Sequence, residues 1–135
     1  MIINIDLLDK LTALAKVNPR LRQHFDLRNT PNDKSQRILN AMVPGTVLPI
    51  HRHCESSETI VVLRGKGLWN YYDNEGNLTD SILVEAGSEI LGLSVPKGQW
   101  HNSVIIESGT VILETKDGVW EPLRDDDILQ IDPLL

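Results

Sequence analysis

Two histidines separated by one residue stand ahead of a glutamate in the run Gly45-Thr-Val-Leu-Pro-Ile-His51-Arg-His53-Cys-Glu-Ser-Ser-Glu58-Thr-Ile-Val-Val-Leu-Arg-Gly65. A third histidine follows in Pro96-Lys-Gly98-Gln-Trp-His101. Three imidazoles and one carboxylate suit a divalent transition metal, with Zn, Fe, Mn, Ni and Cu about equally served by these ligand types. Such an ion acidifies a bound water or polarises a substrate oxygen. Four protein ligands on an octahedral ion leave two positions for water or substrate. The chain has 4 histidines, so only His24 falls outside these two segments, and its polar surroundings predict an exposed position. The structural alternative is a metal-free barrel that keeps the histidines as hydrogen-bonding groups.

The elements must bring these groups together. On a strand, residues i and i+2 share a face, so His51 and His53 can point at one ion. Glu58 lies at odd separation from His53 and joins them only if 54–57 form a turn or bulge. His101 opens a later strand after the Pro96/Gly98 turn, and a barrel can lay that strand beside the first pair. Cys54 follows a ligand directly, and alternation turns it away from the site. Arg28, Arg37, Asn40 and Lys116 are candidates for a polar substrate pocket, since Arg grips carboxylate or phosphate bidentately. Arg37 and Asn40 lie on opposite faces of a regular strand, so both face inward only with a bulge. Glu114 and Lys116 share one face, where they line the barrel mouth or pair at its rim. Trp69, Tyr71 and Trp100 read as packing residues, with Trp100 facing away from the metal.

Ile5, Leu7, Leu8, Leu11, Leu14 and Ala15 recur at helical spacing, with Asn4 or Asp6 as cap and Asn18-Pro19 as stop. This predicts one amphipathic helix over 5–17, its apolar face covering the sheet or a second subunit. Residues 18–34 are polar and turn-rich. From Ser35, short β-prone runs alternate with turns: 35–43, 46–51, 57–64, 67–72, 78–84, 89–95, 100–106 and 109–116. Asp73-Asn-Glu-Gly76-Asn is a hairpin turn. Eight strands at this spacing predict an all-β sandwich or barrel. The organisation is one domain: helix and polar loop over 1–34, a barrel over 35–116, and an acidic tail over 117–135 that packs on the surface or frays.

The 19 acidic and 13 basic residues give a net charge of −6 with no long basic run, which argues against nucleic acid as a partner. One cysteine allows no intrachain disulfide. The first residues lack a signal-peptide pattern, and no apolar stretch approaches the roughly 20 residues of a membrane span. The expectation is a cytoplasmic protein with no membrane partner.

The first segment resembles the first cupin motif over its whole length, with Gly45, His51, His53, Glu58 and Gly65 at the motif's spacing. The second resembles the second cupin motif at Pro96, Gly98 and His101. It departs from it in its leading glycine (Gly92 stands closer) and in Ile105, where cupins often carry asparagine. The resemblance implies a small cupin-type β-barrel or jelly roll with one N-terminal helix, and a metal held by His51, His53, Glu58 and His101. Asp26-Leu-Arg28-Asn29, Ser35-Gln36-Arg37-Ile-Leu-Asn40-Ala and Lys116-Asp-Gly-Val-Trp-Glu-Pro122 are similar to the WbuC-type cupin metalloproteins, over nearly the whole chain. That likeness implies a sugar-related setting in surface-polysaccharide metabolism and no defined chemistry. A substrate with vicinal oxygens, such as a sugar or sugar acid, would chelate the ion's open positions, and polarisation of its carbonyl or alkoxide leads to isomerase, epimerase or lyase chemistry. The alternatives are an Fe(II)-dependent dioxygenase or a non-catalytic metal- or ligand-binding module. A homodimer is expected from the resemblance, from a free edge strand, and from the helix's need for a covering surface.

Overall fold

The computed structural model describes residues 1–129. Helix α1 spans Ile5–Val17, opened by Asn4, whose Oδ1 accepts from the Leu7 amide at 3.0 Å. Asn18 closes it in extended conformation, its amide bonded back to Leu14 and Ala15 carbonyls. Eight strands follow: β1 (Arg22–Asp26), β2 (Ser35–Met42), β3 (Glu58–Arg64), β4 (Lys66–Tyr72), β5 (Leu78–Glu85), β6 (Gly92–Val95), β7 (Trp100–Ile105) and β8 (Thr110–Asp117). They form two antiparallel sheets, in the orders β1-β2-β8-β3-β6 and β5-β4-β7.

Each face of the larger sheet packs on something different. Leu39, Ala41 and Val111 point outward and bury Leu8, Leu11 and Ala15 of α1. Burying a leucine contributes about 1.5–3 kcal/mol, so two leucines fasten this short helix to the sheet. The sheet thus covers Leu8, Leu11 and Ala15 of the helix's apolar face, while Ile5 and Leu14 of that face stay exposed. The opposite face meets the smaller sheet. Met42, Ile60, Val62 and Ile112 pack there against Trp69, Val84 and Ile105, all buried. This apolar plug closes one end of the sandwich and leaves the other end open.

Two segments differ from the sequence expectation. Residues 22–26 form an edge strand within the stretch read as loop. Its inward side chains, Arg22, His24 and Asp26, line the open end and carry no apolar face for alternation to reveal. Residues 46–51 form no strand; only His51 makes isolated bridges, to His101 and Ile128. Val47 there is 81% exposed. The described part of the tail folds back on this segment: Arg52 N bonds to Asp127 O at 3.0 Å and Leu129 N to Ile50 O at 2.8 Å. The remainder of the expected tail, including Pro133, lies outside the described residues.

Two glycines close the frame. Gly65 turns β3 into β4 at φ +86°, and a Cβ there would overlap the Thr110 backbone and hydroxyl. Gly92 lets β6 approach β3 so closely that a Cβ would overlap the Ile60 carbonyl.

Candidate metal centre

The two histidine segments meet through their backbones. His51 N bonds to His101 O at 3.0 Å, and His101 N returns to His51 O at 2.9 Å. Gly98 N adds a bond to His53 O at 2.9 Å. Glu58 enters from the first residue of β3, after a bend at Cys54 and Glu55 resets the face, as its odd spacing requires. His101 comes from β7 of the opposite sheet, so the cluster bridges the two layers at the open end of the sandwich.

One ligand atom from each of His51, His53, Glu58 and His101 lies within 4.8 Å of all the others. Ring centroids are 4.3 Å apart for His51 and His101, 5.0 Å for His51 and His53, and 5.7 Å for His53 and His101. Glu58 Oε2 stands 3.3 Å from His101 Nε2 and 3.4 Å from His53 Nε2. Two ligands on one ion at bonds of about 2.0–2.2 Å sit roughly 3.0–3.5 Å apart, so these separations suit adjacent ligands.

The hydrogen bonds fix which nitrogens face the cluster. His51 Nδ1 lies 2.9 Å from Pro49 O, and His101 Nδ1 lies 2.8 Å from Gln99 O. A carbonyl oxygen only accepts, so each Nδ1 carries the proton and each Nε2 presents a lone pair. A backbone carbonyl on the far nitrogen commonly orients a metal-binding histidine. Glu58 is 5% exposed and His101 3%. Glu58 Oε2 and His53 Nε2 are buried without a hydrogen-bond partner. A carboxylate oxygen facing an imidazole lone pair is repulsive unless a cation sits between them. The residues therefore fit a divalent ion, in donor type and in their unpaired atoms.

Charge follows the same logic. Desolvation first, then the neighbouring His101, lowers the His51 pKa to about 4 and keeps that imidazole neutral. Desolvation raises the Glu58 pKa, but the adjoining His101 and His53 rings and the charge of Lys116 outweigh it. The net result holds the carboxyl well below its usual range.

The cluster opens into a cleft of about 1300 Å³. Asn40, Glu114 and Lys116 line it, in the inner rows of β2 and β8. Glu114 and Lys116 form no ion pair with each other, so the rim pairing is replaced by two separate groups on the wall. Arg28 also lines the cleft, but Asp26 takes its guanidinium fork at 2.8 and 2.9 Å. Arg37 is the exception among the sequence candidates. β2 is regular, so Arg37 points to the opposite face from Asn40 and reaches Asp33 at 3.1 Å. Cys54 is exposed and donates to Asp127 at 3.4 Å, outside the cluster. Trp100 is buried away from the site, with Arg52 stacked on its ring at 4.5 Å. His24 is exposed, as expected, yet it lines the mouth of the cleft beside Arg22. The i, i+2 alternation of Arg20, Arg22 and His24 was the signal for this wall.

Residues 3–84 match the family model described as a domain of unknown function, DUF6016. The chain belongs to this family. No curated protein matches it. Among solved structures, this DUF6016 protein is similar to the capsular polysaccharide assembling protein CapF from Staphylococcus aureus, with TM-score 0.66 and 22% identity over 84% of this chain. That match spans 32% of CapF's length. KdgF from Halomonas sp. matches at TM-score 0.56 and 20% identity, over 82% of this chain and 86% of that one. Oxalate oxidase in complex with the substrate analogue glycolate matches at TM-score 0.58 and 18% identity, over 76% and 53%. The fold is thus the cupin jelly roll with one N-terminal helix. No helix among the described residues is long and apolar enough to cross a membrane.

Proposed function

We propose that this protein is a metal-dependent cupin acting on a sugar or sugar-acid small molecule in surface-polysaccharide metabolism, with isomerase, epimerase or lyase chemistry. The carrying observation is the convergence of four donor atoms, two of them buried and unpaired, at a large cleft. A divalent ion held by His51, His53, Glu58 and His101 supplies Lewis-acid polarisation of a substrate oxygen. Cys54 lies outside the cluster, which favours an open coordination position and a catalytic over a structural site. Arg20, Arg22 and Lys116 line the cleft without an ion-pair partner among the described residues, which suits an anionic group on the substrate.

The polysaccharide setting rests on the WbuC-type likeness; CapF, a structural neighbour, is a capsular polysaccharide assembling protein. The same likeness carries the proposed homodimer, for which β5 and β6 offer free sheet edges. Elemental analysis of untagged protein, beside His101→Ala, tests the centre. Near-stoichiometric metal that the variant loses supports the reading. Metal-free wild type after reconstitution with Zn, Fe, Mn and Ni refutes it.

A further inference from the structure

The inner wall of β2 and β8 carries a polar pair that packing does not account for. Asn40 is 3% exposed, and its Nδ2 donates to Glu114 Oε1 at 3.4 Å while its Oδ1 has no partner. Exchanging the amide oxygen and nitrogen still leaves one buried polar atom unpaired. Such an atom is costly to bury, so its presence beside a cleft points to a hydrogen-bonding ligand that completes it. The second carboxylate oxygen of Glu114 makes no hydrogen bond among the described residues.

Strand register places this pair relative to the cluster. Glu58 lies opposite Lys116, and Ile60 lies opposite Glu114. Glu58 and Glu114 are thus diagonal neighbours on one face of adjacent strands, where the spacing is about 7–8 Å. Among the described residues no hydrogen bond joins the two carboxyl groups across that gap. The gap suits a small molecule with one end at the His–Glu cluster and its next atoms against Glu114. Burial and the charge of Glu58 push the Glu114 carboxyl up to about 7, against the opposing pull of Lys116, Asn40 and His101. The other charged or titratable groups lining this part of the cleft are Arg22, His24 and the Asp26–Arg28 pair, from β1 and the loop after it.

We propose that Asn40 and Glu114 form the proton-transfer end of the cleft, with Asn40 binding a substrate hydroxyl and Glu114 moving a proton at the carbon beside a carbonyl. The ligand class is a hydroxy-aldehyde or hydroxy-ketone, sugar acids included. As carboxylate, Glu114 takes the C–H proton. The C–H electron pair becomes a C=C bond, and the carbonyl pair moves onto oxygen. Return of the proton to that carbon restores the carbonyl and the carboxylate, so no oxidant or reductant is consumed. The inference deepens the metal-dependent reading and rests on it.

The test uses zinc-loaded full-length protein with D-glucuronate and D-galacturonate as probes in deuterium oxide. Deuterium uptake beside the aldehyde is followed by NMR. Glu114→Gln is expected to keep its zinc and lose at least about 100-fold in exchange rate, the scale of a general base. Asn40→Ala is expected to keep its zinc and weaken probe binding about tenfold. Independently of turnover, ¹³C-glutamate labelling, assigned with Glu114→Gln, is expected to show a carboxyl that titrates above the ordinary glutamate range and moves down on zinc loading. Exchange by Glu114→Gln at the wild-type rate, no exchange by the wild type, or an ordinary titration blind to zinc each overturns the proposal. Zinc content of the same samples separates the failures: wild type without zinc refutes the metal reading, and wild type with zinc but unaffected by Glu114→Gln refutes only this inference.

Discussion

Removing one ligand should separate metal binding from folding, and His101→Ala is the perturbation that does so. His101 is buried and its Nε2 lies 3.3 Å from Glu58 Oε2, so its loss opens one quarter of the donor set. A ligand that binds only the folded state stabilises by RT ln(1 + [L]/Kd), about 2.7 kcal/mol at a free concentration 100 times Kd. For a chain of this length that corresponds to a rise in Tm of roughly 8–13 °C. Losing even a group that orients a ligand costs 10–100-fold in affinity, so losing the ligand itself should cost at least about 100-fold. At the same metal concentration the variant then gains RT ln 2, about 0.4 kcal/mol, or under about 2 °C. The assay is thermal unfolding of wild type and variant at pH 7.5, each with chelator and with Zn, Mn, Fe(II) or Ni. The quantity compared is the metal-induced rise within each protein, so any change in metal-free stability cancels. A variant stabilised as much as wild type, or a wild type that no metal stabilises, refutes the reasoning.

Three further outcomes follow from particular contacts. In metal-free protein, the folded His51 pKa lies below its unfolded value. Its contribution is therefore full above about pH 6.5 and is lost as pH falls towards 4. The loss is on the order of 3 kcal/mol, and urea unfolding at pH 7 and 4.5 should show a steep decline that His51→Gln flattens. Leu11→Ala should cost about 2–5 kcal/mol in the same assay, because Leu11 is buried between α1 and the outer face of the larger sheet. Its metal content should match wild type, since the site lies on the other side of that sheet. Arg37→Ala should leave ligand binding within twofold, whereas Lys116→Ala should weaken an anionic ligand more than tenfold. Calorimetric titration with a uronate checks both, and a strong Arg37 effect would contradict the outward placement of that side chain.

The helix, seven of the strands and the four donor residues were legible because each leaves a local signature. Helical spacing from Ile5 to Ala15 marks α1, and period-two runs mark β2 to β8. Strand β1 was not legible, because its inward face lines the open cleft and bears Arg22, His24 and Asp26 in place of apolar residues. The run 46–51 misled in the opposite sense: its β-prone side chains carry no ladder, and only His51 is paired.

What the sequence determined by itself was donor chemistry: which residues can bind a divalent ion, and at what local spacing. Tertiary structure decided the rest. The Nε2 lone pairs of His51 and His101 face one point only because backbone pairing lays the two segments side by side, each Nδ1 held by the carbonyl of Pro49 or Gln99. The cover on α1's apolar face depends on how the chain packs, since an apolar stripe can bury itself on its own sheet or on a partner. The Asn40–Glu114 pair joins residues 74 positions apart, and only strand pairing brings them together. Spacing along the chain constrains neighbours within a strand or turn, but meetings between distant strands are set by which buried faces the whole sequence can satisfy at once.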